Sequence, residues 1–140
     1  MTIDLTTRRP ATIVPDDRRE RFLPTMFGLQ FLIVAENTVY TVMERFSPYD
    51  YGGGFWNFYE RDGEPLFLAP AADRRFRIES GLTDFRGEVS AEAAGIIATL
   101  FVLSHLSFKF ESNHFAAGYQ RLRAYSDGHP ESSAILVAID

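Results

Sequence analysis

Cysteine is absent from this chain, which excludes disulfides, thiolate chemistry and sulfur-ligated metal. Lysine is nearly absent: Lys109 stands alone among 14 basic residues, and the others are arginine. No apolar core of secretory type opens the sequence. The longest uncharged run, residues 93–108, falls short of the ~20 residues that span a bilayer. A cytoplasmic protein with no membrane association is therefore expected. Positive charge is also too sparse for a nucleic-acid footprint, with a net charge of −5, so no direct nucleic-acid binding is expected. Nor are the acids dense enough to imitate DNA. Duplex DNA carries one charge per ~1.7 Å of axis, whereas the 19 Asp and Glu residues here are scattered among arginines.

A length of 140 residues suits one domain, and 13 Phe, 6 Tyr and a single Trp predict a core rich in rings. Residues 1–15 are polar, hold two prolines and show no period, which predicts a mobile N-terminal arm ahead of a single domain over residues 16–140. The segment Asp16-Asp17-Arg18-Arg19-Glu20-Arg21 reads as a short helical turn with acids first, which Pro24 interrupts. The Arg18, Arg19 and Arg21 cluster is locally balanced by acids and reads as a solvated face. Residues 29–34 suit a short strand or a lead-in. Val39, Tyr40, Val42, Met43 and Phe46 then give a helical stripe over residues 36–46, stopped by Ser47-Pro48.

Four strand-like segments follow, over residues 55–60, 65–69, 75–79 and 85–89. Asp62-Gly63 between the first two is a hairpin signal. The last two alternate, with Phe76 and Ile78 inward, and the Trp56 strand is apolar on both faces, which suits a central position. Ser90 is a fitting N-cap for a helix reaching about Phe108 that is apolar nearly all round, hence the buried centre of the domain. Gly95 within it is expected to mark close packing on the sheet. Further helices are expected near residues 112–127 and 131–139. The fold class predicted is α+β: a small antiparallel meander of about four strands packed with about four helices.

Residues able to carry chemistry are few. His105, His114 and His129 lie on separate segments without metal-ligand spacing, so no metal and no cofactor is expected. His105, within the apolar helix, reads as a satisfied core histidine, and His129 before Pro130 as a turn residue. Gly52-Gly53-Gly54 precedes an aromatic strand rather than a helix, which argues against a phosphate cradle. Glu88 and Glu92 flank Ser90 and offer a conceivable acid–base pair, so a small enzyme with a site near Glu88 and the Gly52 to Gly54 corner is the alternative to a binding protein. An exposed strand Glu88 and a dipole-complementing Glu92 account for both more simply. Tyr49, Tyr51 and the neighbouring rings have no Arg or Lys between Ser47 and Glu60, unlike a platform for single-stranded nucleic acid. A protein-binding patch remains.

The chain resembles the plasmid and mobile-element antirestriction family of ArdB/KlcA type. The residues that carry the resemblance begin at Arg21-Phe22-Leu23-Pro24 and Phe27-Gly28, and continue through Tyr40, Met43, Trp56 and Tyr59. Leu68-Ala69-Pro70, Phe85-Arg86-Gly87-Glu88 and Ser90-Ala91-Glu92-Ala93-Ala94-Gly95-Ile96 follow, and Tyr119, Leu122-Arg123, His129-Pro130-Glu131 and Ala138-Ile139-Asp140 end the series. The resemblance covers residues 20–140. It implies a non-enzymatic protein that relieves type I restriction of incoming DNA in a bacterial cell. The partner it implies is the host type I restriction–modification machinery or an associated host factor. It supplies no catalytic residue. Tyr49, Tyr51 and Glu88, at a glycine-rich corner and a strand end, are the candidate interaction surface.

Overall fold

Gly95 decides how the chain packs. In the computed structural model, which describes residues 9–80 and 83–140, a Cβ on Gly95 would lie 2.2 Å from Ala69 Cβ, 2.4 Å from Ala69 Cα and 2.5 Å from the Leu68 carbonyl oxygen. Helix α3 (Ala91–Lys109) thus meets strand β3 (Glu64–Pro70) backbone to backbone, a separation that only glycine permits. One turn later Thr99, wholly buried, donates to the Leu68 carbonyl at 3.3 Å and accepts from the Leu68 N–H at 3.4 Å. The hydroxyl satisfies edge-strand backbone that no neighbouring strand reaches.

By length and apolar composition α3 matches a membrane span. It is instead wrapped by β3, α2, α4 and α5, and from Ala91 to Leu100 only Glu92 escapes full burial. The expected buried centre is therefore this helix. Ser90 caps it, its Oγ accepting from Ala93 N–H at 3.1 Å, with Glu92 in the first turn and Lys109 in the last to complement the dipole.

The α+β class is as expected, with five α-helices and five strands among the described residues, but the strands form two sheets rather than one meander. β1 (Thr12–Ile13), β2 (Trp56–Arg61) and β3 pair antiparallel in that order, with β2 central. Positive φ at both Asp62 (53°) and Gly63 (81°) gives the two-residue primed turn that Asp-Gly favours. β4 (Arg75–Glu79) and β5 (Arg86–Ser90) make the second sheet. Contact with α3 takes the outer edge of β3, so β4 has no edge there to join.

The helical turn before Pro24 departs from expectation, and the strand-or-lead-in alternative after it is decided. Helix α1 (Arg19–Phe27) runs through Pro24 rather than stopping at it. Proline removes only the bond toward the Glu20 carbonyl, while burial of Phe22, Met26 and Phe27 holds the helix in place. Phe22 stacks on Phe58 with centroids 4.6 Å apart. Residues 29–34 form no strand: after Gly28 (φ 79°) the chain turns by 95°, and α2 (Leu32–Phe46) begins.

Residues 1–8 of the expected arm lie outside the described residues, and the rest of it is docked. Thr12 and Ile13 pair with Glu60 and Tyr59, Val14 is buried, and Ala11 N–H donates to the Tyr125 hydroxyl at 2.9 Å. Polar composition hid this, because what fixes the segment is the open edge of β2. Helices α4 (Asn113–Ser126) and α5 (Ser132–Ile139) close the fold where they were expected.

Gly95→Ala should destabilise the protein by ~1–3 kcal/mol through overpacking, although helix propensity alone favours alanine by ~1 kcal/mol. Urea unfolding of the variant measures the sign. In an Ala69→Gly background only part of the loss should return, since Ala69 Cα and the Leu68 carbonyl stay in place.

Candidate functional site

Alternation along β4 and β5 sends Phe76, Ile78 and Val89 inward and leaves a charged outer face. Register places Arg77 opposite Glu88 and Glu79 opposite Arg86. Arg75 reaches across β5, its Nε donating to Glu88 Oε1 at 3.1 Å and its terminal nitrogen to the Glu88 carbonyl at 2.8 Å. The outer edge of β4 is covered at Arg77 by the turn after α2. There Asp50 accepts from the Arg77 backbone N–H at 2.8 Å and from its guanidinium at 2.9 and 3.2 Å, while Ser47 Oγ donates to the Arg77 carbonyl. The guanidinium bonds and the backbone N–H together hold the Asp50 carboxyl below its usual range.

Tyr49 stands 71% exposed on this face, with the Arg77 guanidinium 5.2 Å from its ring centroid. Tyr49, Arg77, Glu79, Arg86 and Glu88 line a depression of about 360 Å³. Two of the three residues singled out from sequence therefore meet. Tyr51 does not join them: its hydroxyl accepts from Trp56 Nε1 at 3.0 Å, and its ring packs edge-on against the buried indole. It positions Trp56. The Gly52 to Gly54 corner is exposed, with φ of 95° at Gly53 and 107° at Gly54, and does not line the depression.

Glu88 and Glu92 diverge rather than pair. Glu88 belongs to Arg75 on the outer face, and Glu92 accepts from His129 Nε2–H at 2.7 Å. His129 is buried and more than a turn residue, since its Nδ1 accepts from the Glu131 backbone N–H at 2.9 Å. That bond requires an unprotonated Nδ1 and so leaves the proton on Nε2. Ser90 Oγ donates to Glu131, which also accepts from Ser90 N–H at 2.9 Å. Serine and histidine thus engage different carboxylates, an arrangement that ties the start of α3 to the α4–α5 turn. His114 Nε2 meets the Met26 carbonyl at 2.7 Å. His105 is exposed in the groove between α2 and α3, which corrects its assignment to the core.

Sequence reasoning missed Asp50, Arg75 and Arg77 as a unit. Strand alternation placed both arginines outward, but nothing in the spacing linked Asp50 to a residue 27 positions away.

The chain is similar to known proteins over most of its length. The family described as antirestriction protein matches residues 49–140. Antirestriction protein KlcA of Escherichia coli is 39% identical over 134 residues, spanning 93% of this chain and 94% of its own. The putative antirestriction protein YubI of Escherichia coli K12 is 34% identical over 140 residues, spanning 94% and 97%. A solved structure superposes with a TM-score of 0.81 at 40% identity over 94% of both chains. It was described with the KlcA and ArdB proteins, which show a novel fold and antirestriction activity against type I DNA restriction systems in vivo but not in vitro.

Asp50 and Tyr51 allow two measurements. A carboxyl held below its unfolded value adds stability that is fully present above ~3.9, the ordinary Asp value, and is lost as pH falls through the folded value. Asp50→Asn should therefore flatten the loss of melting temperature between about pH 5 and 2 relative to the parent. Tyr51→Phe, which strands the Trp56 N–H, should cost ~1–3 kcal/mol, whereas Tyr49→Ala should stay within ~0.5 kcal/mol of the parent. Thermal melts of the two variants separate these roles.

Proposed function

Because the chain belongs to the antirestriction protein family, we propose that it relieves type I restriction of incoming DNA in the cytoplasm by contacting a protein rather than by imitating or binding DNA. The observation that carries this reading is the behaviour of the solved relative at 40% identity, active in vivo but not in vitro. Activity of that kind points to a component of the living cell as the target. The host type I restriction–modification machinery, or a host factor working with it, is the partner.

The surface chemistry supports contact over mimicry. A DNA mimic needs rows of uncompensated carboxylates at the charge spacing of a duplex. Here Glu88 is held by Arg75, Asp50 by Arg77, and Glu79 lies 3.9 Å from Arg86. Tyr49 and Arg77, by contrast, combine an exposed ring with a guanidinium fixed in place, the composition of a protein-binding hot spot. Tyr49, Arg77 and Glu88 are the proposed contact residues. No catalytic step, metal or cofactor is invoked.

Expression in a restricting host should raise the plating efficiency of unmodified phage while leaving modification intact. Tyr49→Ala and Glu88→Arg should each reduce that relief at least about tenfold, with melting temperatures unchanged. Relief by both variants at the parent's level would remove the surface, and no relief by the parent against any type I system would remove the function. Purified protein titrated with labelled duplex in ~0.15 M salt should show no sub-micromolar binding.

A further inference from the structure

Helix α3 ends in a turn that glycine makes most easily. Beyond Lys109 the backbone closes by a bond from Ser112 N–H to the Ser107 carbonyl at 3.1 Å, and Glu111 at the corner takes φ of 49°. Closures of this kind place glycine at the left-handed position, and a side chain there is strained. Among the described residues one other non-glycine has positive φ, Asp62, and Arg9 holds its carboxylate at 2.8 Å. Glu111 makes no hydrogen bond or ion pair among the described residues. A strained position thus carries a carboxylate that the fold does not use.

Three positions earlier stands Phe108, 82% exposed. Ser104, Ser107, Phe108 and Glu111 recur at helical spacing and so form one wall. Across from them Asn113, Ala116 and Gln120 share a face of α4. The two walls bound a groove of about 640 Å³. Glu111 is the only charged residue lining it, so the groove as lined is acidic. Asn113 and Gln120 lie two helical turns apart, ~10.5 Å along α4. Their side-chain amides have no partner among the described residues and can each donate to and accept from a main chain.

Elsewhere the chain shows what completes a ring beside a carboxylate. The Arg77 guanidinium meets both the Asp50 carboxylate, at 2.9 Å, and the Tyr49 ring, 5.2 Å from its centroid. Arg19 likewise lies 4.3 Å and 4.0 Å from the ring centroids of Phe55 and Phe58. Phe108 and Glu111 offer the same ring and carboxylate on one wall, without the guanidinium. We infer that the α3–α4 groove receives an arginine of a partner protein, its guanidinium stacked on Phe108 and paired with Glu111, while Asn113 and Gln120 hold the flanking main chain. Arginine suits the site better than lysine, because a planar guanidinium can stack and pair at once. Nucleic acid is the wrong occupant: a net charge of −5 and a groove whose one charge is a carboxylate repel phosphate. The inference deepens the protein-contact reading above and rests on it, adding a contact that shares no lining residue with the Tyr49 depression.

The test titrates isotope-labelled full-length protein with a heptapeptide bearing arginine between two leucines, and with the same peptide carrying citrulline, which keeps the shape and loses the charge. Amide shifts should concentrate in residues 104–120, and the arginine peptide should bind at least about tenfold more tightly than the citrulline one. Phe108→Ala and Glu111→Gln should each weaken the arginine peptide at least about tenfold, with melting temperatures held. Glu111→Gly should melt above the parent yet bind as weakly as Glu111→Gln, a combination that a merely structural glutamate would not give. In a restricting host the Phe108→Ala, Glu111→Gln double variant should lose relief at least about tenfold. Equal binding of the two peptides, binding of neither, or a dimer in sedimentation that Phe108→Ala disperses would overturn the inference. Full relief by the double variant would overturn it while leaving the antirestriction reading standing. A parent that binds the arginine peptide in the expected order yet gives no relief would overturn the antirestriction reading and uphold the groove.

Discussion

Everything in the fold is arranged around the place where α3 lies on β3 without a side chain between them. At Gly95 the two backbones approach so closely that even a methyl group has no room. That approach fixes the depth at which α3 sits, and so brings Thr99 within reach of the Leu68 backbone. With β3's outer edge thus covered, the three-stranded sheet ends there, and the second hairpin has to find its own support. It finds it in the Ser47 and Asp50 side chains on one edge and in Glu131 at the other.

The consequence for the surface is a division of labour between rigid and exposed parts. Carboxylates engaged by hydrogen bonds from other segments, such as Glu92 with His129 and Glu131 with Ser90, tie elements together. Tyr49 and Arg77 present their faces outward because Asp50 holds the guanidinium from below and leaves the ring uncovered. Preorganisation of this sort lowers the entropy lost when a partner binds.

The fold was legible in sequence wherever one residue dictated geometry: the Asp62-Gly63 hairpin, the Ser90 cap and the close approach at Gly95. It was illegible wherever the deciding partner was distant. The polar segment at Thr12 and Ile13 gave no sign that β2 needed an edge strand, and Pro24 gave none that buried aromatics would override it. A helix apolar nearly all round does not reveal which side stays open, and for that reason His105 was assigned to the core. The candidate surface was half legible. Tyr49 and Tyr51 look alike two positions apart in a turn, and only the position of Trp56 shows that one faces inward.

The separation of the two sheets has a dynamic corollary. The β4–β5 hairpin shares no backbone ladder with the larger sheet, so its amide protons can exchange with solvent by local opening, without the global unfolding that α3 requires. Phe76, Ile78 and Val89 still bury into the common core, so the hairpin is joined to the rest by side-chain packing rather than by a shared ladder. The hairpin carries the face with Tyr49's neighbours Arg77 and Glu88, and a bound partner would register there as slowed exchange along β4 and β5.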